Sequence, residues 1–391
     1  MSSPDISPLL MPIDIGKLSI PTRFALAPME RGWATDGKPS PRYDDYYVER
    51  VRNGVGLIIV EITEVDHAPC RSAELPSATR MDESTLPAWQ RCVGAVHEAG
   101  GKIFVQLSHR GAFRRDDPAG IRSVSPSGIL GPGLANGEAA TAADLDAIRD
   151  AYVRSASVAQ RAGFDGIEIQ AAHSYLLDQF MWEGSNRRTD GYGGPDIRDR
   201  VRFPAEIVAA IRAAVGPEIA LCFRFSQYKP VDFAARVAAD PDELGVMLDI
   251  LRGAGTDIFH ASALDFDAPA WAGSDRSLAG WTKALTDAPV ITVGSIGLNY
   301  DVWGSFFTPD PIRNTGPLPI ERLLRRFEAG EFDMVAIGRA LLGDAAWVTK
   351  VRQGRYEDIR PFANPADIAD VDVHEFMFDK IVEAYQRHAA A

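Results

Sequence analysis

The sequence predicts an α/β fold of the (β/α)8, or TIM, barrel type. Eight short runs rich in Val, Ile and Phe recur along the chain, and each is followed by a segment of helical period. The runs are mostly apolar on both faces, as parallel strands covered by helices must be. No G-x-G-x-x-G follows the first run, and a count of eight fits closure better than a doubly wound open sheet.

Residues 1–22 read as a preface in which LLMPIDIGKLSIP forms a short hairpin turning at Gly16 and Lys17. Strands are predicted at Phe24–Met29, Gly56–Val65, Lys102–His109, Phe164–His173, Ile219–Ser226, Asp257–Ala263, Pro289–Ile296 and Met334–Leu342. Between them, helices are predicted at Tyr43–Asn53, Leu86–Ala99, Leu145–Ala162, Ala205–Val215, Asp242–Gly253, Ser277–Thr286, Ile320–Glu328 and Trp347–Arg352. Leu145, Ile148, Tyr152 and Val158, for example, fall close to one face of the third. Residues 356–391 read as a C-terminal extension. No Pro-, Gly- or Ser-rich linker interrupts the alternation, so 1–391 is read as one barrel domain. Long irregular segments at 110–140, 174–197, 264–275 and 299–318 follow strands, where a barrel carries its active-site loops. Trp271 and Trp303 lie in two of them and could form a lid.

Composition narrows the function. A formal charge of −13 argues against nucleic acid or an anionic membrane as the main partner. Cys70, Cys92 and Cys222 are too few and too widely spaced for a disulfide framework or an iron–sulfur cluster. No H-x-H pair or carboxylate cluster stands at the strand ends, so no metal is expected. Without a basic-then-apolar leader or a long apolar run, the chain reads as soluble and cytoplasmic. A homo-oligomer is compatible with the sequence, which carries nothing that decides it.

The stretch 163–194 concentrates the chemistry. A buried strand delivers Gln170, His173 and Tyr175 within six residues, which suits an active site, although Gln170 and His173 could instead cap the helix that follows. The other strand ends would collect Pro28, Met29 and Glu30, Ile62, Gln106, His109, Arg224, Gly294 and Ser295, and Gly338 and Arg339. VGSIG and IGRALL put glycines where backbone N–H groups can approach a phosphate, with Arg339 adjacent. Arg224 needs an anion or an electron-rich heterocycle, or else an internal ion pair with Glu61 or Glu168. Gln106 can both donate and accept, which suits an imide edge. His109 and His260 can be read as contacts or as packing. Together these groups describe a phosphorylated heterocycle lying across the barrel top.

With RFALAPM, GVGLIIVEIT, VQLSH, AGFDGIEI, SYLLDQF, NRRTDGYGG, FRFS, ITVGSI and VAIGRALL in order, the chain resembles the old yellow enzyme family of FMN-dependent ene-reductases over nearly its whole length. The resemblance implies that Pro28 and Met29 contact the flavin, that Gln106 bonds its pyrimidine edge and that Arg224 sits near N1. It places the FMN phosphate on Gly294, Ser295, Gly338 and Arg339. Tyr175 falls on the proton donor, and Gln170 and His173 on the pair that anchors the substrate's electron-withdrawing oxygen. The implied reaction passes hydride from NADPH or NADH through FMN to the β-carbon of an activated alkene, while Tyr175 protonates the α-carbon. Three positions depart from the family pattern. Gln170 replaces a His, Glu30 stands where Thr or Cys is common beside the flavin, and Ile62 replaces a Gly or Ala. Glu30 and Gln170 motivate one alternative, an FMN dehydrogenase, desaturase or oxidase acting on a non-enone substrate; a non-catalytic flavin-binding barrel is a second, against which the retention of Tyr175 and His173 argues.

Overall fold

The computed structural model describes residues 4–71, 78–114, 120–307, 310–363 and 378–389. Eight parallel strands close into a barrel: β1 (Phe24–Leu26), β2 (Leu57–Val65), β3 (Lys102–Ser108), β4 (Gly166–Ala171), β5 (Ala220–Ser226), β6 (Ile258–Ser262), β7 (Val290–Val293) and β8 (Met334–Ile337). β8 pairs back to β1 through Val335 and Phe24, and β1 pairs to β2, which completes the ring. The predicted TIM barrel is therefore the observed one. A further short strand, Thr79–Met81, extends the upper end of β2.

The surrounding helices are α1 (Pro41–Arg52), α2 (Leu86–Glu98), α3 (Ala142–Ala162), α4 (Ile197–Val215), α5 (Pro241–Ala254), α6 (Leu278–Leu285), α7 (Leu318–Glu328) and α8 (Trp347–Arg352). Local chemistry fixes where they start. Thr141 and Asp144 form a reciprocal capping box on α3, and the Asp240 carboxylate accepts from the Glu243 N–H on α5. The sequence places the start of α4 after Pro204, but the helix begins at Ile197, capped by Asp196, and runs through the proline. Pro204 has no N–H to give to the Arg200 carbonyl. Buried Ile197, Val201, Phe203 and Ile207 hold the helix against the barrel across that gap.

The barrel interior is divided along its axis. At the lower end Ala25, Leu57, Ile59, Phe104, Ala220, Ile258, Ile291 and Met334 form a separate apolar cluster. The N-terminal hairpin, Ile13–Ile15 paired antiparallel with Leu18–Ile20, packs Ile15 and Ile20 into this cluster and plugs that end. Toward the other end the inward positions become polar: Gln106, Glu168, Gln170, Arg224, His260 and Ser262, all buried.

One irregularity decides which residues face that polar end. On β2, Ile59 pairs with Phe104 but Ile62 pairs with Gln106, so three steps on β2 answer two on β3. This bulge turns Ile62 inward, where simple alternation from Leu57 and Ile59 would put Glu61. Glu61 points instead toward α1, accepting from the Tyr43 hydroxyl at 2.6 Å and the Arg31 N–H at 2.6 Å. Burial raises its carboxyl to about 8, against the pull of the Tyr43 hydrogen bond.

Candidate active site

A cavity of about 300 Å³ opens where the polar ends of the strands meet. Its volume is at the lower end of ligand sites, which run from about 300 to 1,000 Å³. All thirteen predicted site residues line it: Pro28, Met29, Glu30, Ile62, Gln106, Gln170, His173, Tyr175, Arg224, Gly294, Ser295, Gly338 and Arg339.

The floor is a hydrogen-bonded row set by strand register. Gln106 lies opposite Glu168, and Gln170 opposite Arg224. The Gln106 amide donates to Glu168 at 2.7 Å and to the Gln170 oxygen at 3.4 Å. A carboxylate only accepts, so this contact fixes the amide's orientation and leaves Gln106 Oε1 buried without a partner among the described residues. Glu168 also meets His260 Nδ1 at 2.7 Å. Burial opposes its charge, but His260, Arg224 and Gln106 together hold its carboxyl below the usual range. Burial pushes His260 below the ordinary histidine range, against the pull of Glu168; the carboxylate only accepts, so the His260 Nδ1–H is the donor. Arg224 makes no ion pair with Glu61, which lies outside the barrel, and Glu168 is bonded to His260 and Gln106. Arg224 instead makes a 3.4 Å hydrogen bond to Ser262, and its Nε is buried without a partner among the described residues.

β4 was expected to continue through His173. It ends at Ala171, and His173 and Ser174 adopt left-handed backbone at φ 59° and 67°. Two successive non-glycine residues there cost of order 1–3 kcal/mol each and persist only where surrounding contacts fix them. The His173 N–H donates to Ser226 Oγ at 3.2 Å, and the Ser174 N–H to Asp178 at 2.7 Å. Asp178 is itself held by buried Lys229 at 2.6 Å. The turn aims His173 Nε2 at Ser262 Oγ, 3.0 Å away. Burial and nearby Arg224 hold this imidazole well below the ordinary histidine range. Ser262 Oγ, which accepts from Arg224, keeps one lone pair and its proton, so it can meet His173 Nε2 as acceptor or as donor. Tyr175 follows as the N-cap of the short helix Leu176–Met181 and packs edge-on against Phe113, ring centres 5.7 Å apart. Burial and Glu30 raise its phenol above the usual range, and Arg110 opposes them.

At the far end, the Gly294 backbone (φ 151°) passes so close to the next loop that a Cβ would stand 2.7 Å from the Ala263 carbonyl oxygen. A Cβ on Gly338 would press on Met29 Sδ at 3.1 Å. The Ser295 hydroxyl is bonded to the Leu264 carbonyl at 2.6 Å, which leaves its backbone as the part able to meet a ligand. Arg339 does not continue β8; the strand stops at Ile337 and Arg339 starts a short helix. Its guanidinium donates to the carbonyls of Asp301 at 3.0 Å and Tyr300 at 2.8 Å. Burial lowers it to about 10. A half-buried cation resting on carbonyls suits an incoming anion.

Several residues behave differently from their reading as isolated positions. Trp303 lines the cavity, together with Ile381 from the C-terminal helix Phe378–Ala389. Trp271 packs away from it on Trp281 and donates to the Ala239 carbonyl. His109 accepts from the Gly111 N–H and meets His67 at 2.9 Å, outside the cavity wall. Arg110 and Ser262 were not singled out from the sequence. Arg110 is fully buried and bonds Glu30 at 2.7 Å and Glu64 at 3.3 Å. Its only sequence signal is its place just after β3.

A family model described as NADH:flavin oxidoreductase / NADH oxidase matches residues 8–302. The chain belongs to this family. Its members use FMN and NAD(P)H, and the old yellow enzyme resemblance is part of the same relationship. An NADH oxidase of Thermoanaerobacter brockii is 34% identical over 360 residues, covering 88% of this chain and 51% of its own. A cinnamate reductase of Clostridium sporogenes is 32% identical over 378 residues, covering 90% and 53%. The chain thus spans about half the length of these two relatives. Morphinone reductase in complex with tetrahydroNAD superposes with a TM-score of 0.75 at 25% identity, covering 93% of this chain and 94% of that one. The cavity fits FMN on its own terms. Gln106 Oε1 and Arg224 Nε are unpaired and buried at one end, and Arg339 is a cation without a carboxylate partner, among the described residues, at the other. Leaving such groups unmet costs about 1–3 kcal/mol each.

Proposed function

We propose that the chain holds FMN across the barrel mouth and, with NADH or NADPH as reductant, reduces an activated C=C bond. Tyr175 is the proton donor in this reading. It is carried by one observation: Tyr175, His173 and Gln170 line the same cavity into which Gln106 and Arg224 bring unpaired polar atoms.

When bound, FMN supplies the hydride, taken from NAD(P)H and passed to the β-carbon of the alkene. Gln106 Oε1 would accept from the imide N–H, and Arg224 would stabilise negative charge at the adjacent edge. Pro28, Met29 and Ile62 would contact the ring. The backbones of Gly294, Ser295 and Gly338, with the Arg339 guanidinium, would hold the phosphate. With Ser262 donating to its Nε2, His173 would carry its proton on Nδ1 and, with the Gln170 amide, donate to the substrate's electron-withdrawing oxygen. Both donors are neutral, so the anchor works by directed hydrogen bonds and not by a cation. Tyr175 keeps its proton until a carbanion-strength base forms at the α-carbon, as a phenol of raised pKa should. The Glu30 carboxylate is bonded to Arg110, which offsets the charge it brings to the cavity.

The test is anaerobic reduction of the FMN-loaded protein by NADH or NADPH, followed by cyclic enones and cinnamates. Reoxidation by at least one of these alkenes, faster than in a buffer control, is expected. Reduction with no alkene able to reoxidise the protein would overturn the reading. Rapid reoxidation by oxygen alone would favour the second one, a flavin oxidase, which Gln170 and the likeness to an NADH oxidase support.

A further inference from the structure

Beside Tyr175 lies a buried charge cluster that the proposed function does not use. Arg110 is bonded by Glu30, from the loop after β1, and by Glu64, at the end of β2. Its Cζ stands 6.0 Å from the centre of the Tyr175 ring. A third guanidinium nitrogen, Nη1, is buried and has no hydrogen-bond partner among the described residues. Burying such a cation is costly, and a structural role would be served as well by packed apolar side chains. An unspent donor next to the proton-donating phenol has a use only when that phenol carries charge.

We propose that Glu30, Arg110 and Glu64 form a positioning device for proton delivery. The two carboxylates hold the guanidinium beside Tyr175, where it receives the negative charge left on the phenol oxygen once the O–H proton has passed to the α-carbon. Solvent water then restores the proton. The proposal rests on the reading of Tyr175 as the donor. It moves the role of Glu30 from the flavin to the acid. The charged groups acting on Tyr175 are Glu30, Glu64 and Arg110 on one side and Arg224 on the other, with Phe113 packed against the ring.

The experiment places a more acidic difluorotyrosine at position 175 in the FMN-loaded protein and follows its ionisation by absorbance, without substrate. Glu30→Gln should lower the titration midpoint, and Arg110→Gln should raise it. The double variant E30Q/R110Q, which leaves one carboxylate, Glu64, in place of the two left by Arg110→Gln, should fall between the two single variants. Alkene-driven reoxidation should change in the same order, slowing about 10–100-fold in Arg110→Gln. On a Tyr175→Phe background these substitutions should change it by less than about twofold. Midpoints unmoved in all three variants would overturn the proposal, as would equal slowing on both backgrounds. Shifted midpoints in a protein that reduces no alkene would leave the charge device standing and remove the ene-reductase reading.

Discussion

Gln106 donates its amide nitrogen to Glu168 at 2.7 Å, and the same contact commits its carbonyl oxygen to the cavity. A residue on β4 thus decides what a residue on β3 can recognise. The pair presents an acceptor, so it selects a ligand with an N–H at that edge.

Glu168→Gln should loosen this selection, because an amide can donate as well as accept and no longer holds Gln106 in one orientation. FMN affinity should fall about tenfold, equivalent to about 1.4 kcal/mol. Fluorescence titration of the stripped protein with FMN measures it; an unchanged Kd would show that Glu168 does not orient Gln106.

Arg339→Ala should remove the cation at the other end of the cavity. A charge-assisted hydrogen bond contributes about 1.5–3 kcal/mol, so FMN should bind about 10–150-fold more weakly. Riboflavin, which lacks the phosphate, should bind as it does to the wild type. Equal losses for both ligands would place the phosphate elsewhere.

Tyr175→Phe should slow alkene-driven reoxidation by about 10²–10⁴-fold, the usual contribution of a positioned general acid. Reduction by NAD(P)H needs no proton from this phenol and should slow far less. Stopped-flow absorbance separates the two half-reactions, and equal slowing would contradict the donor role.

Burial holds His109 and His173 well below the ordinary histidine pKa in the folded chain. As pH falls through about 6.5, the unfolded chain takes up protons at these positions and the folded chain does not. The stability they allow is therefore complete above that value and declines below it, by up to about 1.4 kcal/mol per pH unit for each. Urea midpoints at about pH 7.5 and about pH 5 should show the decline, and His109→Gln should make it shallower. An identical slope in the variant would exclude His109 from the effect.

How legible all this is in the sequence depends on the length scale of the cause. Runs apolar on both faces mark parallel strands, and the polar residues at their ends gather wherever a barrel closes. This is why the predicted site residues share one cavity. What could not be read arises between strands. Arg110 is unremarkable in HRG until Glu30 and Glu64 are brought to it from two other strand ends. Ser262 acquires meaning only from Arg224 and His173 on either side. Pro204 looks like a helix start because local propensity says so, and burial of its neighbours overrides it.

The bulge in β2 acts as a frame shift for side chains. Its single extra residue exchanges a carboxylate for an isoleucine at the cavity wall without changing either amino acid. Straightening the bulge with every residue kept would restore strict alternation, swing Glu61 toward the cavity and strip Tyr43 of its partner. Where that strand stores its extra residue thus sets the polarity of this pocket as firmly as the side chains that line it.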